Sequence, residues 1–370
     1  MDTTPNGSDL ARLLSAGIEG IVRDMMRISP SPSLLTFLAK TAIWQKRAAE
    51  LRSAAAASAG IHIPPFMIAS ITSRCNLGCA GCYARAQARP PKPEMSADNW
   101  RKVFSEARDL GISIILLAGG EPLVRKEVLE TAAKYPEILF PVFTNGLLVD
   151  EEMVSWFAEH RNIIPVLSIE GYRAMTDGRR GAGVYDRLLT AAGVLKKRGV
   201  FFGASITVTR ENIEVVTSDH FVGNLNSGGC RAFFYVEYVP VKEGTDGWIL
   251  SKAQSQSISL KMDELRGKYA AVFIGFPGDE GKLGGCLAAG RGFVHISPSG
   301  DLEPCPFAPY SDTSVANLPL RDALQSRFLE RIRDNHGVLD DGKGGCALWE
   351  KRELVKTLLS SVETCAEGEC

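Results

Sequence analysis

No stretch of this 370-residue chain approaches the roughly 20 consecutive apolar residues that a bilayer-spanning helix needs. The chain also lacks an excess of either charge. Its 42 Lys and Arg face 43 Asp and Glu, for a formal net charge of −1. That balance argues against the broad basic face required for nucleic-acid binding and leaves room only for a local patch. No export signal is evident, because MDTTPNGSDLARLL opens polar and acidic, without a charged region followed by an apolar one. Internal repeats are absent, and the one biased tract, SAAAAS, simply favours helix. Without an export signal, nine cysteines, an odd count, point to reduced thiols and metal ligation in a cytoplasmic protein rather than to a disulfide framework.

What is present divides into three parts. Residues 1–60 read as a helical extension, with apolar residues at helical intervals in DLARLLSAGIEGIVRDMMRI and in SPSLLTFLAKTAIWQKRAAELRSAAAA. These helices either pack on the main domain or, given the closely spaced Leu34, Leu35, Phe37, Leu38 and Trp44, form an amphipathic platform for a membrane surface or a partner. Residues 61–267 alternate apolar strands with helical segments. Strands are predicted at 66–72, 113–119, 138–144, 163–169, 201–209 and 232–239. Their nearly continuous apolar character suits a parallel sheet buried on both faces. Six such units predict an α/β fold, a partial (β/α)6 TIM-like barrel, shorter than the roughly 250 residues of a closed eight-stranded one. In residues 268–370 the alternation lapses into a small cysteine-bearing α+β region, with a hairpin predicted over FVHIS, PSGD and LEPC.

The segment SRCNLGCAGCYAR places Cys75, Cys79 and Cys82 in one loop directly after the first strand. In a barrel that is the C-terminal mouth, where active sites are built. A structural zinc site closes with four ligands, whereas a thiolate-bound four-iron cluster can take three and leave one iron open. The loop resembles that of the radical S-adenosylmethionine (SAM) enzymes. The resemblance implies that Cys75, Cys79 and Cys82 hold a [4Fe-4S] cluster whose open iron binds SAM. It further implies reductive cleavage of SAM to a 5′-deoxyadenosyl radical that abstracts hydrogen from substrate. One departure is Gly81, where the family often has an aromatic residue; Tyr83 follows the third cysteine and is expected near the adenine.

Later strand ends carry the same resemblance. AGGEP supplies Gly119, Gly120, Glu121 and Pro122, with glycines that permit close backbone approach and acceptors for the SAM ammonium group. FTNGLLVD supplies Thr144 and Asn145 as ligand-lining residues. LSIEG supplies Ser168 for the ribose or carboxylate, with Glu170 cast as structural. DGRRGAG supplies Arg180 for the SAM carboxylate, with Arg179 as the alternative. SITVTREN adds Ser205, Thr207 and Asn212.

A second cysteine set, Cys286, Cys305 and Cys346, resembles the twitch/SPASM-like region that holds an auxiliary [4Fe-4S] cluster, with Cys365, Cys370, or a substrate or water at an open iron as the fourth ligand. A zinc site or uncoordinated thiols are the alternatives, and Cys230 reads as a core thiol. The sulfatase-maturing relatives carry an acid directly after the second of these cysteines. Here Pro306 stands there, with Asp301 and Glu303 nearby, so that activity is not expected. The resulting expectation is a radical SAM enzyme acting on a small-molecule or lipid-like substrate and reduced by a flavodoxin or ferredoxin. A peptide-modifying maturase and a non-enzymatic iron–sulfur electron carrier are the alternatives.

Overall fold

The computed structural model describes residues 7–28, 31–87, 89, 92–277, 283–339 and 346–366. Each apolar run of the barrel region becomes a parallel strand: β1 Phe66–Thr72, β2 Ile114–Gly119, β3 Phe140–Thr144, β4 Ile163–Ser168, β5 Phe202–Val208 and β6 Cys230–Glu237. The parallel run goes one strand further, to β7 Val272–Phe276, which pairs with β6 beyond position 267. The hairpin forms from β8 Phe293–Ile296 and β9 Leu302–Glu303, paired antiparallel. Its first strand docks parallel to β1, so the sheet among the described residues runs β7-β6-β5-β4-β3-β2-β1-β8-β9. The C-terminal cysteine region is thereby joined by main-chain pairing to the strand that leads into the first cysteine loop.

Strand alternation gives the two faces of this partial barrel different work. One face, with Ile115, Leu117, Val142, Phe202, Ala204 and Phe233, packs under the connecting helices in the larger core, against Trp100, Val103, Phe104, Val154 and Leu188. The helix Ala97–Asp109 presents Trp100, Val103, Phe104 and Ala107 at helical spacing to make that contact, behind a Ser96 cap. On the other face the strand beginnings, with Leu139, Ile164, Phe201, Ala232 and Val272, meet Val22, Met25, Leu34 and Leu38 in a second core. Those last four belong to the N-terminal helices, α1 Gly7–Arg27 and α2 Pro32–Ala59.

The platform reading of these helices is therefore corrected at Leu34, Leu38 and Phe37. Leu34 and Leu38 are 2% and 0% exposed, and Phe37 packs on the same core. Among the described residues no helix is long and apolar enough to cross a membrane. Besides the single turn Tyr83–Ala86, two helices are not marked in the sequence. Lys252–Lys268 is polar along much of its length and starts on a Ser251–Gln254 capping box, and Arg173–Arg180 is short and highly charged.

Candidate active site

Where the second face of the sheet is not covered by α1 and α2, its strand ends open onto a cavity of about 680 Å³. Phe143, packed edge-on against Phe234 at 5.2 Å, belongs both to the cavity wall and to the second core. The cavity wall brings together Cys75, Cys79 and Cys82 with Tyr83, Gly119, Gly120, Glu121, Asn145, Ser168, Arg180, Ser205 and Thr207. Cys286, Cys305 and Cys346 line the same cavity. Thr144, Pro122 and Asn212 do not line it. Cys365 falls in the helix Arg352–Ala366 with its side chain outside the described residues, as Cys370 is altogether.

The first cysteine loop is held by the turn after β2. Gly120 N–H donates to Thr72 O at 2.7 Å and Glu121 N–H donates to Arg74 O at 2.8 Å. A Cβ on Gly119 would lie 2.3 Å from Thr72 O, and one on Gly120 would lie 2.1 Å from Arg74 O. The sequence suggests that these glycines admit a ligand; the structure shows that they admit the backbone of the cysteine loop.

Glu121 is also committed inside the protein. Its carboxylate accepts from Leu123 N–H (3.1 Å), Thr144 Oγ1 (2.7 Å) and Asn145 N–H (2.8 Å), tying the ends of β2 and β3 together. Burial raises its pKa, and these donors together with Arg180 pull against the rise. Asn145 then reaches the cysteine loop itself, donating from Nδ2 to Asn76 Oδ1 at 2.7 Å.

Arg179 and Arg180 both pair with the Glu170 carboxylate, which is 2% exposed. Glu170 Oε2 accepts from Thr207 N–H as well, at 3.2 Å. Burial works against the Arg180 charge, and Glu170 together with Cys79 and Cys82 outweighs it, so its pKa stays above the ordinary arginine value. Two guanidinium groups sharing one carboxylate leave one net positive charge beside the cavity. Arg179 also clasps the cysteine loop, where its carbonyl accepts from Ala80 N–H at 2.8 Å and its Nε donates to Ala80 O at 3.3 Å.

Gly81 adopts φ +64°, and a Cβ there would lie 2.5 Å from Tyr238 Oη and 2.6 Å from Trp248. Aromatic rings thus cover this part of the loop, supplied from beyond β6 rather than by residue 81. Tyr83 turns toward the second cysteine set, edge-on to Phe307 at 5.1 Å and close to both Cys82 and Cys305.

In that set the Cys305 and Cys346 thiols are within hydrogen-bond reach of each other. Burial, then Cys346 and Cys286, push the Cys305 thiol upward. Arg291 secures the Cys286 backbone by donating to its carbonyl at 2.5 Å. Cys230 stands apart in the core, 1% exposed, its thiol pushed up to about 12 by burial. Asp301 pairs with Lys92 at 3.0 Å on the surface, whereas Glu303 turns inward at 1% exposure.

Sequence reasoning missed a brace beneath the loop. Glu94 accepts from Ser73 N–H and Ser73 Oγ at 2.7 Å each, from Thr72 Oγ1 at 3.0 Å and from Arg125 at 2.9 Å. Arg125, 6% exposed, also donates to Ile71 O and Met95 O at 3.0 Å each. Nothing local in PKPEM marks Glu94. The donors at each cysteine set are soft thiols, the kind of ligand that iron–sulfur clusters take, and the first set has compensating positive charge beside it.

Residues 69–221 match the family model described as the Radical SAM superfamily. Among curated proteins the chain is 26% identical to the AdoMet-dependent heme synthase of Methanosarcina barkeri, over 79% of this chain and 90% of that protein. It is 27% identical to mycofactocin maturase MftC of Mycobacterium tuberculosis, over 78% of this chain and 79% of the maturase. Among solved structures, Streptococcus suis SuiB bound to S-adenosylmethionine shares the fold at TM-score 0.60. That match has 18% identity and covers 76% of this chain and 70% of SuiB. The radical SAM superfamily is thus what residues 69–221 are similar to, and the two curated relatives matched over most of the chain are a synthase and a maturase.

Proposed function

We propose that the chain cleaves SAM at a [4Fe-4S] cluster on Cys75, Cys79 and Cys82, and that Cys286, Cys305 and Cys346 hold a second cluster across the cavity. The observation that carries this reading is that both cysteine sets line one cavity. A cluster at the first set, when bound, supplies the electron for reductive cleavage. The protein's own residues then divide the rest of the work. Arg180, with Ser168, receives the SAM carboxylate, since the arginine pair keeps a net positive charge beside the cavity. The Gly119–Gly120 turn holds the cysteine loop in register, and Asn145 fixes it from the next strand.

Substrate lies between the two cysteine sets. Ile68, Leu116, Phe143 and Phe293 make much of the wall apolar, which supports a compact, largely apolar small molecule. A peptide substrate is the second reading. One relative favours it by name: the PqqA peptide cyclase of Granulibacter bethesdensis, 25% identical over 66% of this chain. The electron enters from a flavodoxin- or ferredoxin-type donor.

The test is anaerobic reconstitution. Two clusters give about eight irons per chain, and Cys286→Ala or Cys305→Ala lowers the count to about four. Reduced protein with SAM releases 5′-deoxyadenosine, and no release from a fully iron-loaded sample overturns the enzymatic reading. A panel of small molecules and peptides, scored by the rise in 5′-deoxyadenosine with deuterium followed from substrate into that product, separates the two substrate classes.

A further inference from the structure

The helix Lys252–Lys268 divides its residues between two surroundings. Ile258, Met262 and Leu265 are buried, whereas Lys252, Ser255, Gln256 and Ser259 line the cavity. The cavity-lining residues stand at i, i+3, i+4 and i+7, the spacing that puts side chains on one face of a helix. That face is polar throughout, while the wall that includes Ile68, Leu116, Phe143 and Phe293 is apolar. Beside the polar face, at the end of β6, stands Glu237, which lines the cavity and is 8% exposed. Ser255 Oγ donates to its carboxylate, 2.8 Å from Oε1 and 3.0 Å from Oε2.

A carboxylate has about four acceptor sites, and a hydroxyl has a single hydrogen to give. Glu237 can therefore hold Ser255 and also accept from a molecule in the cavity. Opposite charges face the cavity here, Glu237 and Lys252, and burial decides which is the stronger anchor. Lys252 is exposed in the first turn of its helix, where water screens its charge. Glu237 is held nearly out of water at the end of a strand, where a hydrogen bond to its charge gains more.

We propose that Glu237, positioned by Ser255, binds a hydrogen-bond-donating head of the substrate, an amine or a hydroxyl, while the apolar wall takes the body. The inference rests on the reading of this cavity as the substrate site and deepens it: the small molecule is apolar along its body and polar at one end. Neither Glu237 nor the polar helix face has a part in holding the cysteine loop or in the proposed SAM contacts. The helix sets the choice of substrate, and the two cysteine sets supply the chemistry.

The experiment uses cluster-loaded, unreduced protein saturated with SAM, so that no SAM is cleaved. The probes share a phenyl body and differ at the head: 2-phenylethylamine, 2-phenylethanol and 3-phenylpropionate. By titration calorimetry, wild type should favour the amine or the alcohol over the acid by about tenfold or more, and the tighter of the two names the head. Glu237→Gln should weaken the amine by about tenfold or more and the alcohol by less, because the glutamine amide oxygen still accepts. An acid that binds as tightly as both other probes overturns the assignment, as does failure of all three to bind. Both results are read in wild type and need no variant to fold. The assignment also falls if Glu237→Gln weakens SAM rather than the probes, which would place the carboxylate against SAM. Because nothing is reduced, protein that releases no 5′-deoxyadenosine can still show this preference, and protein without the preference can still release it.

Discussion

Gly81 shows how a single residue can depart from a family pattern and still be required. Its φ of +64° is left-handed, and the space a side chain would fill is taken by Tyr238 and Trp248. Gly81→Ala should cost about 1–2 kcal/mol from backbone conformation alone and additionally displace the two rings. The expected result is a lower urea midpoint together with fewer irons per chain. Gly199, at φ +65° with nothing within 4 Å, is the control: its alanine variant should lose stability without losing iron. Glu121 makes a related point. With three donors converging on one buried carboxylate, Glu121→Gln must turn an amide N–H₂ toward at least one of them. A loss of about 1–3 kcal/mol by urea denaturation is expected. Neither role was legible in the residues' letters, because both depend on neighbours far away in sequence.

At the scale of elements, the cysteine loop is braced by groups that a motif search passes over. Glu94 joins the end of β1 to the segment before the helix Ala97–Asp109, and Arg125 joins both to the turn that follows β2. Burial raises the Glu94 pKa, but the Ser73, Thr72 and Arg125 donors outweigh it and hold the carboxyl below the usual glutamate range. A lowered carboxyl pKa contributes stability that is complete above the unfolded-state value and is lost as pH falls through the folded one. Glu94→Gln should therefore be less stable than wild type by about 1–2 kcal/mol near neutral pH. That gap should close in urea titrations carried down into the acid range, and a gap that stays constant with pH would refute this assignment. The strands themselves were legible because a buried parallel strand is written as a continuous apolar run. β7 was not, since VFIGF is short and its glycine interrupts the run. The inward turn of Glu303 was equally hidden, because alternation along a strand sets two faces without saying which one is buried.

The whole molecule is a sheet with one face sealed by its connecting helices and the other shared between α1–α2 and the cavity. That division explains why the bulky residues of α2 read two ways in the sequence. Helical spacing shows an apolar stripe, and only the sheet shows what it meets: Leu38 buried against strand beginnings, Leu35 turned 38% exposed to solvent. The two leucines give the deciding comparison. Leu38→Ala removes buried methyl groups from the second core and should cost about 2–5 kcal/mol. Leu35→Ser should stay within about 0.5 kcal/mol of wild type. Because Phe143 belongs both to that core and to the cavity wall, the loss at Leu38 should also reach the site, as weaker SAM binding by equilibrium dialysis of the cluster-loaded protein. If α2 served instead as a membrane platform, the ranking would reverse: Leu35→Ser would abolish partition onto anionic vesicles, and Leu38→Ala would barely move the urea midpoint.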